Sequence, residues 1–102
     1  MMAMLFTEAE QAFLRSQRLA RLATVGPTGW PHVVPVMYSL TDDGAFEFDA
    51  DGVKLRNIGT EPRAALVVDG SPKRGVAVQG RTEVIGHERA RLTPARKFSW
   101  GL

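Results

Sequence analysis

Turn-forming clusters recur at short intervals along this chain. Gly26-Pro27-Thr28-Gly29, Asp42-Asp43-Gly44, Asp51-Gly52 and the stretch from Asp69 to Gly75 separate runs of apolar and β-branched residues too short for long helices. Leu19 to Val25 reads as a strand with apolar residues on both faces, as in a strand buried on both sides. Trp30 to Ser39 completes a hairpin with it. Pro31 and Pro35 cannot donate ladder hydrogen bonds, so this second strand is expected at an edge or with a bulge. Ala45 to Ala50, Ala64 to Val68 and Val76 to Ile85 follow as strands. Glu88 to Leu92 and Arg96 to Trp100 are expected as two further strands separated by Thr93-Pro94. Asp69 to Gly75 is expected as a loop.

Two helices interrupt the strands. Thr7 followed by Glu10 is a capping box and predicts a helix from Glu8 to Ser16, with Ala9, Ala12 and Phe13 toward a sheet. Val53 to Gly59, closed by Glu61-Pro62, predicts a short second helix. Six or seven short strands in 102 residues imply a single domain, 1–102, and a mainly β fold. A barrel or sandwich is expected, and a barrel leaves no long edge to cover.

Composition removes several function classes. There is no cysteine, hence no disulfide, thiolate metal site or thiol nucleophile. The apolar opening Met1 to Phe6 is too short for a signal peptide or a membrane span, so a cytoplasmic, non-membrane protein is expected. A net charge of +2 and 8% aromatic residues argue against nucleic-acid binding. His32 and His87 are far apart and lack metal-type neighbours. Asp49 and Asp51 would share a side at a strand end, as an acid–base pair or as a solvated strand exit. No self-contained catalytic set emerges, a pattern that suits a protein whose cofactor carries the chemistry.

Lys54 and Arg56 follow a strand end and a glycine, near the start of the short helix. Backbone N–H groups and the helix dipole favour an anion there. Lysine is a point-charge phosphate partner and arginine a bidentate one. The pair reads either as ordinary surface charge or as a phosphate clamp.

The order of segments bears on that choice. Arg21-Leu22-Ala23-Thr24-Val25-Gly26, then Gly29-Trp30-Pro31-His32-Val33-Val34-Pro35-Val36, resembles the opening hairpin of the pyridoxamine 5′-phosphate oxidase-like superfamily. Phe46-Glu47-Phe48, Lys54-Leu55-Arg56-Asn57-Ile58 and Glu61 to Asp69 resemble its cofactor segment. Arg74 to Glu83 resembles the following strand. The tail Phe98-Ser99-Trp100-Gly101-Leu102 is similar to that of the actinobacterial branch using the deazaflavin coenzyme F420. The resemblance implies a six-stranded antiparallel split β-barrel that dimerises with itself, with cofactor sites at the interface and a small-molecule substrate. It implies an oxidoreductase using F420, with FMN as the alternative cofactor and a non-enzymatic flavin or heme carrier as the alternative function. By this resemblance Lys54 binds the phosphate, with Arg56 beside it. Val34, Pro35 and Val36 lie along the ring, Phe48, Asp49 and Ala50 flank it, and Trp100 crosses to the partner's site. Flavin-binding oxidases of the superfamily often carry Ser-Arg where this chain has Gly52-Val53, which tilts the cofactor toward F420. Residues specific for pyridoxal phosphate are not recognisable, which argues against true pyridoxamine phosphate oxidase activity.

Overall fold

The computed structural model describes residues 5–102, so the apolar opening Met1 to Met4 lies outside the described residues. In chain order the elements are α1 (Glu8–Ser16), β1 (Leu19–Val25), β2 (Pro31–Leu40), β3 (Phe46–Asp49), α2 (Gly52–Thr60), β4 (Arg63–Ser71), β5 (Arg74–Gly86) and β6 (Arg89–Trp100). The strands close into an antiparallel barrel in the order β1-β2-β3-β6-β5-β4. It is a six-stranded split β-barrel.

The split comes from the shortness of β3. Only Tyr38–Leu40 of β2 pairs with β3, and only Arg89–Leu92 of β6 pairs on its other side. The first half of β2 is therefore bonded to β1 alone. Gly26 N–H donates to Trp30 O, and Tyr38 N–H to Arg18 O. With the observed register, this alternation turns the backbone groups of residues 31, 33, 35 and 37 away from β1. Pro31 and Pro35 thus lack N–H groups where the strand has no partner, which is the edge position their chemistry requires.

Side chains from alternate positions fill the barrel. Leu22, Phe46, Phe48, Val68, Val76 and Leu92 are almost wholly buried, each worth roughly 1.5–3 kcal/mol on folding. The two helices close opposite ends. At one, Tyr38 donates its hydroxyl to Leu14 O, and Lys97 and Ser99 donate to Glu10. At the other, Asn57 and Ile58 of α2 are buried, and Asn57 Nδ2 donates to Thr24 Oγ1 at 3.1 Å.

Three expectations need correction. Thr93-Pro94 does not end a strand: β6 is continuous, and Gln79 faces Arg96 while Gly80 faces Pro94, leaving Ala95 as the extra residue of a bulge. The missing N–H of Pro94 falls where the ladder is already interrupted. Asp69 to Gly75 is not a loop but two strand ends, with Ser71 paired to Arg74 around Pro72-Lys73. The buried face of α1 is Glu10, Phe13 and Leu14, while Ala9 and Ala12 are exposed, because a buried carboxylate takes partners from β6.

Candidate functional site

β3 ends at Asp49, the chain turns through Ala50 and Asp51, and α2 begins at Gly52, whose φ of +55° suits a residue without a side chain. Asp51 is the N-cap of α2, yet its carboxylate makes no cap hydrogen bond. It instead accepts from Lys54 Nζ at 2.8 Å. That bond holds the Asp51 carboxyl below its usual range, through the hydrogen bond first and the charge of Lys54 second. The first-turn N–H groups of α2 are left without a side-chain cap. The Lys54 side chain is only 17% exposed, so its ammonium is held close to that turn. Lysine has three donors, and one bond to Asp51 leaves two. Arg56, two residues on, is exposed on the solvent side of α2.

The other expected residues divide by strand alternation. Val34 and Val36 point into the barrel, Val36 as core and Val34 packed against it. Pro35 faces outward and is exposed, as are Val33 and Met37. A planar group beside β2 would therefore meet the strand's open backbone edge rather than a surface made by all three residues. Phe48 and Ala50 are fully buried core side chains. Asp49 is exposed and pairs with Arg89 at 3.0 Å, so Asp49 and Asp51 answer to different cations and do not form a carboxylate pair.

Trp100 lies at the far end of the barrel. Its indole Nε1 donates to Pro72 O at 3.0 Å, and its ring covers Gly75, where an added Cβ would stand 2.5 Å from the indole. Arg89, at the start of β6, pairs with Asp49 just before α2, whereas Trp100 is its last residue. At about 3.3 Å per residue the strand places the two ends on the order of 30 Å apart. Lys54 and Trp100 of one chain cannot share a ligand of ordinary size.

Sequence reasoning missed two features. The Asp51–Lys54 pair was visible as an i, i+3 spacing at a helix start. His32 faces inward opposite Thr24, and its buried Nδ1 has no hydrogen-bond partner among the described residues. No group of three metal-ligating side chains occurs among the described residues, nor any helix long and apolar enough to cross a membrane.

Comparison with known proteins agrees with this architecture. The family model described as pyridoxamine 5′-phosphate oxidase matches residues 6–100, and the chain belongs to that family. A 5a,11a-dehydrotetracycline/5a,11a-dehydrooxytetracycline reductase of Streptomyces rimosus is 34% identical over 119 aligned positions, covering 95% of this chain and 84% of that protein. A conserved hypothetical protein of Mycobacterium tuberculosis superimposes with a TM-score of 0.77 at 25% identity, over 98% of this chain and 88% of the other. A FAD-binding protein of Mesorhizobium loti shares the fold, with a TM-score of 0.77 at 21% identity, over 92% and 91% of the two chains.

Proposed function

We propose that this protein is an oxidoreductase that uses the deazaflavin F420 to transfer hydride to or from a small organic substrate. It works as a homodimer with its cofactor sites between the copies. The observation that carries the reading is Lys54: a side chain only 17% exposed, held by Asp51 at the start of α2 beside N–H groups without a side-chain cap. The reductase relative supports hydride chemistry, and the family supports a flavin-type cofactor. The residues fit such a group at its anionic end. Lys54 and the first turn of α2 would hold the phosphate. The outward carbonyls of Pro31, Val33, Pro35 and Met37, with the N–H groups of Val33 and Met37, would meet the ring edge. When bound, the cofactor supplies the hydride, and the protein's lever is orientation.

A second copy is called for by Val33, Met37 and Phe98, which are 61%, 62% and 66% exposed on the outer surface. It also supplies a Trp100 that one chain cannot bring to its own Lys54. FMN is the second reading, a flavin of the type that the family supports. Gly52-Val53 offers no side-chain donor to the denser charge of its terminal phosphate, which favours F420.

Fluorescence titration with F420, alongside FMN, tests the proposal. F420 is expected to bind more tightly. Lys54→Glu is expected to weaken binding by more than about tenfold, since a charge-assisted contact contributes roughly 1.5–3 kcal/mol. Preferential FMN binding would move the assignment to the second reading. Failure of both cofactors at tens of micromolar, or an unchanged affinity in a folded Lys54→Glu protein, would refute the site.

A further inference from the structure

Two buried side chains hold α2 to the barrel, Asn57 and Ile58, and Leu55 packs against the same core. A helix of nine residues is too short to stand alone, so its tertiary contacts decide where it sits. Asn57 is the polar member of the pair and is 4% exposed. It lies about one turn beyond Lys54, and its carbonyl closes the helix by accepting from Glu61 N–H at 2.8 Å. Its amide is gripped at the barrel end. Nδ2 donates to Thr24 Oγ1 at 3.1 Å, and Oδ1 fills the space over Gly26, 3.4 Å from where a Cβ there would stand.

The bond from Asn57 uses a lone pair of the Thr24 hydroxyl and leaves the hydroxyl proton to be donated elsewhere. Thr24 is 1% exposed, so that proton needs an acceptor inside the protein. His32 stands directly opposite Thr24 in the β1–β2 register. Its side chain alternates inward with Val34 and Val36, and side chains so opposed lie about 5 Å apart at Cβ. Among the described residues, His32 Nδ1 is the one buried side-chain nitrogen or oxygen without a hydrogen-bond partner. A proton in need of an acceptor therefore faces an acceptor position in need of a proton. An imidazole that accepts at Nδ1 carries its own proton on Nε2.

We propose that His32 is a positioning residue. Its Nδ1 accepts from the Thr24 hydroxyl, directly or through one water, and the relay Asn57–Thr24–His32 runs from α2 through β1 to β2. His32 belongs to the half of β2 that is bonded to β1 alone. The relay thus ties the open edge of the split to α2, and fixes Lys54, one turn before Asn57, relative to that edge. This rests on the preceding section in taking the edge and Lys54 to hold one ligand; the relay itself needs no cofactor.

The first test is nitrogen NMR of the imidazoles in the cofactor-free protein above neutral pH. His32 is expected as a single tautomer protonated at Nε2, whereas His87, with a side chain 94% exposed, should show the averaged signals of a free imidazole. F420 titration and amide exchange across α2 then compare variants. His32→Leu keeps bulk without an acceptor; it is expected to raise the F420 Kd at least about fivefold and to speed exchange at Asn57 and Ile58. His32→Asn, whose amide can stand near the Nδ1 position, should recover most of both. His32→Gln, which reaches toward the Nε2 position, should not. In a Thr24→Val background, His32→Leu should cost nothing further, because the donor is already gone. A mixed or Nδ1-protonated His32, rescue by glutamine rather than asparagine, or a His32→Leu penalty that persists beside Thr24→Val would overturn the proposal. The tautomer is read on the unaltered protein, so it decides even where a variant fails to fold. If that protein does not bind F420, the preceding section falls, and the tautomer and the exchange rates alone decide the relay.

Discussion

Replacing Glu10 with glutamine removes a carboxylate that is only 5% exposed and joins the first helix to the last strand. Its oxygens accept from Thr7 N–H at 2.8 Å, from Ser99 Oγ at 2.6 Å, and from Lys97. Burial alone would raise its pKa. The hydrogen bonds from Lys97, Ser99 and Thr7 outweigh burial and bring the value from 4.5 down to about 2. At 1.36 kcal/mol per pH unit, that drop corresponds to about 3 kcal/mol of folding stability. The folded value lies below the unfolded one, so this contribution is complete above about pH 4.5 and is lost as the pH falls toward 2. Urea unfolding at fixed protein concentration, at pH 7 and at stepped lower values, measures it. The wild type should lose about 3 kcal/mol through this window beyond the losses shared with the variant. Glu10→Gln should start about 2–3 kcal/mol lower at pH 7, with a midpoint depressed by roughly 10 °C or more. Parallel stability–pH curves for the two proteins would refute the reasoning, because the carboxylate would then be no better placed folded than unfolded.

Other outcomes follow from the packing. Asn57→Ala removes the donor to Thr24 and leaves a buried hydroxyl unmatched; it should cost about 2 kcal/mol in chemical denaturation and speed amide exchange across α2. Gly80→Ala forces a methyl group against the Thr93 carbonyl and should cost about 3 kcal/mol, whereas Gly59→Ala, with open space around its Cβ, should be neutral or mildly stabilising. Met37→Asp, on the apolar outer surface, tests the proposed homodimer: analytical ultracentrifugation should show a monomer, with circular dichroism unchanged.

What was readable from the sequence depended on how local the chemistry is. α1 spans Glu8–Ser16 as expected because a capping box is complete within four residues, and β1 spans Leu19–Val25 because turn residues bracket it. The face of α1 was misjudged because Glu10 draws its partner from Lys97, far along the chain, and no local pattern announces a buried carboxylate. The continuity of β6 was hidden for a similar reason. Proline in a strand normally signals a break, and only the approach of Gly80 to Thr93 shows that a bulge absorbs it. Lys54 could be singled out from segment order alone.

The proline pair on β2 has a consequence for the newly made chain. Along its side away from β1, the first half of β2 is an unpaired edge bearing exposed Val33 and Met37, the kind of template on which chains polymerise edge to edge. An incoming strand needs donors and acceptors in alternation, and at positions 31 and 35 it finds only carbonyls. The edge is thus guarded against fibre growth by its own covalent structure.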